Sequence, residues 1–497
     1  MAGVLAIDQS TSATKALLFS ESGELLDREA RAHAQHYPQA GWVQHDGEEI
    51  WRNLLAAARV LLSRHPGAAA DLACISIANQ RETVIVFDRA DGRPLHPAIV
   101  WQCRRGDAFC EAQVAAGRAP AIQARTGLQP DGYFSAPKLQ WLVRHRPDLA
   151  GLLATGEALI GTIDTYLIYR LTRGAVFATD ATNASRTLLF DISRLCWDEE
   201  LCAWWDVPRR ALAEVRDSTG RFGETTLEGL LPAPVPICGV MGDSQAALLA
   251  QRCIRPGETK VTLGTGSSIL MNLGAAPRFS GKGVVTALAW LSGGRPTYAF
   301  EGIIISAAST LTWLRDGLRL VTNVAECEPL AAEVADTAGV YLVPAFSGLG
   351  LPYWQPSARA AILGLTAASD RRHVVRAAIE SIAYQVQDAL EAMQRESGVP
   401  IRALHADGGA TESRLLMQFM ADLTQTEVTV APMPECSALG AALAGRVGAG
   451  RASSIGELAA TPAGATVYRP AITREHAARL QAGWRSAVRC VLPRAES

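Results

Sequence analysis

Hydrophobic positions along this chain shift repeatedly between short strand-like runs and a helical spacing of about 3.6 residues, a pattern that predicts an α/β protein. The clearest strand pair comes first. Leu5-Ala6-Ile7 enters the polar stretch Asp8-Gln9-Ser10-Thr11-Ser12, and Ala16-Leu17-Leu18-Phe19 leaves it. This predicts a β-hairpin whose tip offers backbone N–H groups, hydroxyls and the cation Lys15 to something anionic. Thr259–Asn272 repeats the pattern 255 residues downstream, around Gly264-Thr265-Gly266-Ser267-Ser268. Two such hairpins imply two related domains gripping one nucleotide between them.

Elsewhere, Leu72–Ala78 and Thr83–Asp88 read as paired strands around the turn Asn79-Gln80-Arg81-Glu82. Ile50–Ser63, Lys138–Val143 and Gly161–Leu171 read as helices. The proline-rich stretch Leu231–Pro236 reads as the crossing from the first half to the second. Val235–Val240 follows as a strand and Asp243–Ala250 as the start of a helix. In the second half, Gly339–Pro344, Ala403–Ala406 and Glu427–Ala431 read as strands, and Arg372–Arg395, Glu412–Leu423 and Ser437–Gly448 as helices.

Length and composition narrow this picture. A chain of 497 residues exceeds one core, so two or three domains are expected. A net charge of −2 calls for neither nucleic acid nor an anionic membrane. The ten cysteines form no C-x-x-C pair, which argues against zinc and redox motifs. They read as reduced, buried residues of a cytoplasmic protein. No secretory signal is seen, and charge or turn residues interrupt every apolar run short of a membrane span.

Four motifs carry chemistry, and each has a plainer reading. The first hairpin is either a surface turn or a phosphate loop; Lys15 suits a transferring phosphoryl group and Asp8 suits Mg²⁺. It is neither a P-loop nor a Rossmann fingerprint. Asp243, at a strand end where a helix begins, is either an N-cap or a general base that takes a proton from an attacking alcohol. Arg81-Glu82 is either a solvated pair or a match for a vicinal diol, with Trp101 and Tyr133 either core residues or packing on a polyol's carbon face. Asp407-Gly408-Gly409 is either a structural turn or a place where backbone approaches a nucleotide.

Taken in order, these segments resemble the FGGY carbohydrate kinase family, its glycerol kinase branch most closely. The resemblance runs nearly end to end through Asp8-Gln9-Ser10-Thr11, Gly41-Trp42-Val43-Gln44-His45-Asp46, Asn79-Gln80-Arg81-Glu82-Thr83 and Ala98-Ile99-Val100-Trp101-Gln102. It continues through Tyr133-Phe134-Ser135, Gly242-Asp243, Gly264-Thr265-Gly266, Ser347-Gly348-Leu349, Pro352-Tyr353-Trp354, Asp407-Gly408-Gly409 and Ala438-Leu439-Gly440-Ala441-Ala442. It implies two ribonuclease-H-like domains, related to actin and hexokinase, flanking a catalytic cleft. Residues 1–246 would carry acceptor binding and the first phosphate hairpin, and 247–497 nucleotide binding and the second.

By the same resemblance, Asp243 is the base, and Arg81, Glu82, Trp101 and Tyr133 hold or line the polyol. Thr11, Ser12, Lys15 and Thr265 meet the ATP phosphates, Gly409 meets the nucleotide and Asp8 lies near Mg²⁺. Ser244 and Ser268 stand beside the acceptor where glycerol kinases carry Gln and a bulky Phe. Ala308, Thr312 and Ser413 replace their Gly, Gln and Asn on the adenosine side, and Ser10 and Lys15 replace Gly and Arg in the first loop. The two serines point to an acceptor longer than glycerol, such as a four- or five-carbon polyol. The overall reading is glycerol or a glycerol-like longer polyol, with a four- or five-carbon sugar alcohol or ketose (erythritol-, ribulose- or xylulose-type) as the alternative. The Arg81-Glu82 turn differs from that of a typical xylulokinase. The implied reaction is transfer from MgATP to a primary hydroxyl, by a homo-oligomer (dimer or tetramer). An actin-like ATPase or filament protein would share the architecture but has no use for the acceptor cluster Arg81, Glu82 and Tyr133. The altered adenosine-side residues suit a catalytically weak sensor or regulator, against which the retained Asp243 speaks.

Overall fold

The computed structural model describes residues 3–281, 283–430, 432, 435–458 and 464–493. Six strands form its first large sheet: β1 (Gly3–Gln9), β2 (Ala13–Phe19), β3 (Leu25–Ala32), β4 (Leu72–Asn79), β5 (Arg221–Thr225) and β6 (Val235–Gly242). They lie side by side as β5-β6-β4-β1-β2-β3. β1, β2 and β3 are antiparallel neighbours, whereas β1, β4 and β6 run parallel. Every residue of β1 is buried, so its sequence reads as an unbroken apolar run up to Asp8 and Gln9.

Seven strands form the second sheet: β7 (Glu258–Leu263), β8 (Ser267–Gly274), β9 (Val285–Ser292), β10 (Arg295–Ile304), β11 (Ala403–Asp407), β12 (Val428–Val430) and β13 (Thr466–Tyr468). Their order is β9-β10-β8-β7-β11-β12-β13. The pairing of the first sheet recurs. β7, β8 and β10 are antiparallel neighbours, and β7, β11 and β12 run parallel. Both expected hairpins exist, with Asp8 opposite Lys15 in one and Thr262 opposite Ser268 in the other. The sequence repeat therefore falls on equivalent strands of two sheets built to one plan.

The helices that shape the cleft and its supports are α1 (Gly47–Arg64), α2 (Ser135–His145), α3 (Ile163–Leu171), α4 (Asp243–Ala250), α5 (Ser309–Asp316), α6 (Arg371–Ser397), α7 (Arg414–Thr424) and α8 (Cys436–Gly448). α1 starts where Asp46 accepts from the Glu48 N–H, and it buries Ile50, Trp51, Leu54, Leu61 and Leu62. α8 comes from the second half of the chain, yet it packs on β1, β4 and β6 of the first sheet and along α4. Val4, Ala6, Leu17 and Phe19 share one apolar cluster with Ala246–Leu249 and Ala438–Leu443. The helices approach closely because of a glycine: a Cβ on Gly440 would lie 1.7 Å from the Ala246 carbonyl oxygen. No helix among the described residues is long and apolar enough to cross a membrane.

Several expectations need correction. Leu72–Asn79 and Val84–Asp88 are not a hairpin. The second belongs to a separate four-stranded sheet with Gln44–His45, Ala98–Ile99 and Ala158–Thr162. The intervening residues are buried, and Glu82 adopts the left-handed φ of 61°, so the chain leaves the sheet instead of folding back. The proline-rich stretch does not cross between halves, because Val235 opens β6, still in the first sheet. Gly161 and Thr162 end a strand, and α3 begins at Ile163 after an extended Thr162. The helix expected from Glu412 begins as a short 3-10 turn, Gly409–Glu412, before Ser413 caps α7. The strand expected at Gly339–Pro344 covers only Tyr341–Val343. The end of Glu427–Ala431 lies outside the described residues.

The contact at Gly440 is testable. We expect Gly440→Ala to destabilise the protein by about 3 kcal/mol, because neither backbone can yield without parting α4 from α8. The check is an earlier urea or thermal transition than wild type; an unchanged transition would contradict so close an approach of the two helices.

Candidate active site

The parallel strands of the first sheet end in register. Gln9 and Gly242 both pair with Asn79, so three loops leave the same carboxyl edge side by side. They carry Ser10–Ser12, Gln80–Glu82 and Asp243. Open α/β sheets bind ligands at this edge. In the second sheet Thr262 pairs with Asp407, which sets Gly264–Gly266 beside Gly408-Gly409.

A chain of alternating charges runs behind the first edge. Arg186 Nε lies 2.6 Å from Glu82 Oε1, and Arg186 Nη1 lies 2.6 Å from Glu301 Oε2. Glu301 Oε1 is 2.9 Å from Arg81 Nη2, and Arg81 Nε is 3.2 Å from Asp243 Oδ1. Arg81 Nη1 also donates to Gln245 Oε1 at 3.3 Å. Glu82, Arg186, Glu301 and Arg81 are all at most 6% exposed, whereas the Asp243 side chain is 35% exposed. The chain thus ends in a carboxylate facing the cleft. Burial alone would raise Glu301, but Arg186 and Arg81 pull it down to about 2. Burial raises Glu82 despite the pull of Arg186 and Arg81. Arg81 and Glu82 are therefore neighbours that grip different partners, and neither is a solvated surface group.

Asp243 is the first residue of α4, and Gly242 occupies the cap position. Its Oδ1 accepts from the Ser244 N–H at 2.6 Å. The N-cap reading fails, and the carboxylate keeps an oxygen for other work. Tyr133 stands against this group: its ring centroid is 5.3 Å from that of Trp101, and the Arg186 guanidinium lies 5.9 Å from its ring. Trp101 Nε1 donates to Thr11 Oγ1 at 2.9 Å, tying the aromatic wall to the first hairpin tip. The expected residues Arg81, Glu82, Trp101, Tyr133 and Asp243 converge. Ser244 and Ser268 are half-buried, and the Ser268 hydroxyl is enclosed with no hydrogen-bond partner among the described residues.

At the hairpin, Ser12 is exposed and Lys15 is already engaged. Lys15 Nζ lies 2.7 Å from Glu435 Oε2 and 3.5 Å from Asp8 Oδ2, and Arg28 holds the other Glu435 oxygen. Burial raises Asp8 to about 6, against the pull of Lys15, and Asp243 and Glu435 add to the rise. Asp8 is thus a desolvated carboxylate beside two others, an environment that favours added positive charge. One carboxylate suits Mg²⁺, which keeps waters and phosphate oxygens as its remaining ligands. No cluster of three or more metal-ligating side chains occurs among the described residues.

Across the cleft, Thr265, Ala308, Ser309, Thr312, Trp313, Asp316 and Gly317 line a pocket of about 360 Å³. Three of the residues expected to hold nucleotide meet there. The backbone joins them: Ala307 and Ser309 N–H groups donate to the Thr265 carbonyl, and the Ala308 N–H to that of Gly264. Gly409 is exposed, and a Cβ there would meet nothing within 4 Å. Ser413 is occupied as the cap of α7, accepting from the Leu416 N–H at 3.2 Å.

Sequence reasoning missed Glu301, Arg186, Gln245 and Glu435. Glu301 carried a signal, a lone carboxylate inside the strand-like run Tyr298-Ala299-Phe300-Glu301-Gly302-Ile303. Arg186 and Glu435 carried none, because their partners lie 104 or more residues away.

Comparison with known proteins agrees with this geometry. The chain is 45% identical over 489 residues to a glycerol kinase of Halorhodospira halophila, covering 98% of this chain and 96% of that protein. It is 47% identical over 485 residues to a glycerol kinase of Thermus brockianus, covering 98% and 97%. The crystal structure of Plasmodium falciparum glycerol kinase with ADP superposes with a TM-score of 0.94 at 34% identity, covering 99% of each chain. The N-terminal domain of the FGGY family of carbohydrate kinases matches residues 3–250 and the C-terminal domain residues 259–449. With both of its domains matched and a common sheet plan in each half, this chain belongs to the FGGY family of carbohydrate kinases.

Proposed function

We propose that this protein transfers the γ-phosphoryl group of ATP to a primary hydroxyl of glycerol or a closely similar small polyol. The observation that carries this reading is the buried chain Glu82–Arg186–Glu301–Arg81–Asp243, which ends in a carboxylate at the cleft. Likeness to glycerol kinases over nearly the whole chain supports it. Arg81, Glu82 and Tyr133 bind the polyol hydroxyls, and Trp101 covers its carbon face. Asp243 takes the proton of the attacking hydroxyl, and the Arg81 guanidinium 3.2 Å away keeps it aimed. Thr11, Ser12 and Lys15 from one half and Thr265 from the other receive the phosphates. Ala308 and Thr312 line the nucleotide pocket, and Gly409 and Ser413 also meet the nucleotide. Asp8 would hold Mg²⁺, which neutralises charge on the transferring phosphoryl group. Closure of the two halves excludes water and so limits ATP hydrolysis. The ten cysteines are thiols, eight of them buried, and suit a reducing cytoplasm.

A second reading keeps the chemistry and lengthens the acceptor. Ser268 pairs across the strands with Ile303, which is 38% exposed, and the enclosed Ser268 hydroxyl has no partner among the described residues. By resemblance this small side chain stands beside the acceptor where glycerol kinases carry a bulky Phe, which would leave room for a four-carbon polyol. Turnover across glycerol, erythritol, pentitols, ribulose and xylulose decides. We expect a polyol to give the highest kcat/KM; erythritol ahead of glycerol supports the longer acceptor, and a ketose ahead of both overturns the polyol assignment.

Two substitutions test the roles. Asp243→Asn should lower kcat by about 10²–10⁴-fold, the usual worth of a general base, with the ATP KM nearly kept; wild-type kcat in this variant would remove Asp243 from that role. Arg81→Ala should raise the acceptor KM by roughly 10-fold or more, as expected for losing a charged hydrogen bond, and leave the ATP KM within about twofold. Equal changes in both KM values would contradict an acceptor-specific role.

A further inference from the structure

One buried cation beside the acceptor pocket takes no part in the proposed transfer. Lys138 lies in the first turns of α2 and is completely buried. Its ammonium donates to three consecutive backbone carbonyls: Gly132 at 2.8 Å, Tyr133 at 2.5 Å and Phe134 at 2.7 Å. It forms no ion pair within 4 Å among the described residues. The charged and titratable groups that act on it from around the site are Glu82, Asp131, Cys103 and Cys110, and burial brings its pKa down to about 7.

We propose that Lys138 is a positioning residue for the acceptor: by holding the carbonyls of Gly132, Tyr133 and Phe134 it fixes where the Tyr133 hydroxyl stands at the pocket wall. This role rests on the polyol kinase reading. Only an ammonium group brings three donors to one point, so no neutral side chain satisfies all three carbonyls. The loop has little room to find another arrangement. A Cβ on Gly132 would lie 1.9 Å from Asp107 Oδ1, the Tyr133 N–H donates to Asp131 Oδ1 at 2.8 Å, and Arg104 fixes that carboxylate at 2.7 Å. Ser135, next along the segment, donates to the Glu82 carbonyl at 3.1 Å, so the loop and the Arg81-Glu82 turn form one unit. The Tyr133 hydroxyl itself makes no hydrogen bond among the described residues. It is a polar group supplied to the pocket, and the backbone beneath it is what Lys138 holds.

The test is steady-state kinetics of Lys138→Met and Lys138→Gln with glycerol and MgATP varied separately. Methionine keeps the length of the side chain and removes all three donors; glutamine restores part of them. We expect the glycerol KM to rise about 10-fold or more in Lys138→Met, less in Lys138→Gln, with kcat and the ATP KM within about threefold of wild type. A glycerol KM unchanged in both variants overturns the proposal, as does a loss shared equally by kcat and both KM values. If Lys138→Met fails to fold, Lys138→Gln alone carries the comparison. Wild-type turnover separates the two readings: without polyol turnover by wild type the proposed function fails, whereas turnover with an unshifted variant KM defeats the role of Lys138.

Discussion

Glu301 is the constraint on which this molecule depends. It projects from β10 of the second sheet, is 3% exposed, and finds both its cations, Arg81 and Arg186, in the first half of the chain. A buried carboxylate without partners costs several kcal/mol, so removing either arginine while the halves stay packed would strand it. The same holds in reverse for two buried guanidinium groups. This arrangement is weak evidence for stability, since apolar side chains of equal volume would fill the space as well. Its value is in placement. Each of the three inner ions is held by opposite charge on both sides, so Arg81 reaches the cleft with its plane already set and Asp243 beside it.

The two sheets explain why the ligand groups gather at all. In each, an antiparallel hairpin is followed by parallel strands that end at the same edge. The first edge delivers the Gln80–Glu82 turn, the Ser10–Ser12 tip and Asp243; the second delivers Gly264–Gly266 and Gly408-Gly409. One plan used twice thus gives the cleft two hairpin tips on opposite walls, while the insertions between strands differ. Those of the first half supply Trp101, Tyr133 and Arg186, and α5 in the second half supplies the Thr312 wall.

What could be read from the sequence was what depends on short spans. The hairpins, the strand–turn–helix at Asp243 and the long apolar face of α6 follow from spacing alone, because a strand pair or a helix face is set by neighbours in the chain. Arg81, Glu82 and Asp243 stood out as charges at the ends of apolar strands, each with a plainer structural use that spacing alone did not remove, and the family resemblance assigned their roles. What failed depends on distant partners. Thr83–Asp88 looked like the return of a hairpin, yet a left-handed Glu82 sends it to another sheet, and no local rule favours that φ for glutamate. The Pro-rich stretch looked like a linker because prolines punctuate chains, but Pro236 accommodates to a strand beside an antiparallel edge neighbour. Glu435 and Arg186 were invisible for the same reason: their meaning lies wholly in residues far away.

Lys15 shows how the two kinds of information combine. Its place on the hairpin suggested a cation waiting for phosphate, and it does sit opposite Asp8 at that tip. The structure adds that Glu435, just before α8, already holds it across the gap between the halves. Glu435 is 7% exposed and also bound to Arg28, so it keeps one cation whichever way Lys15 turns. A helix that packs under the first sheet therefore ends at the same charge cluster as the hairpin tip. The close approach of α8 to α4 at Gly440 and the grip of Glu435 on Lys15 both lie at the start of one element, which begins at the Lys15 cluster and runs beside the helix that opens with Asp243. Movement of α8 relative to α4 would shift Lys15 and Asp243 against each other, so packing at Gly440, whose contact Ala246 lies one turn along α4 from Asp243, bears on the geometry of the cleft.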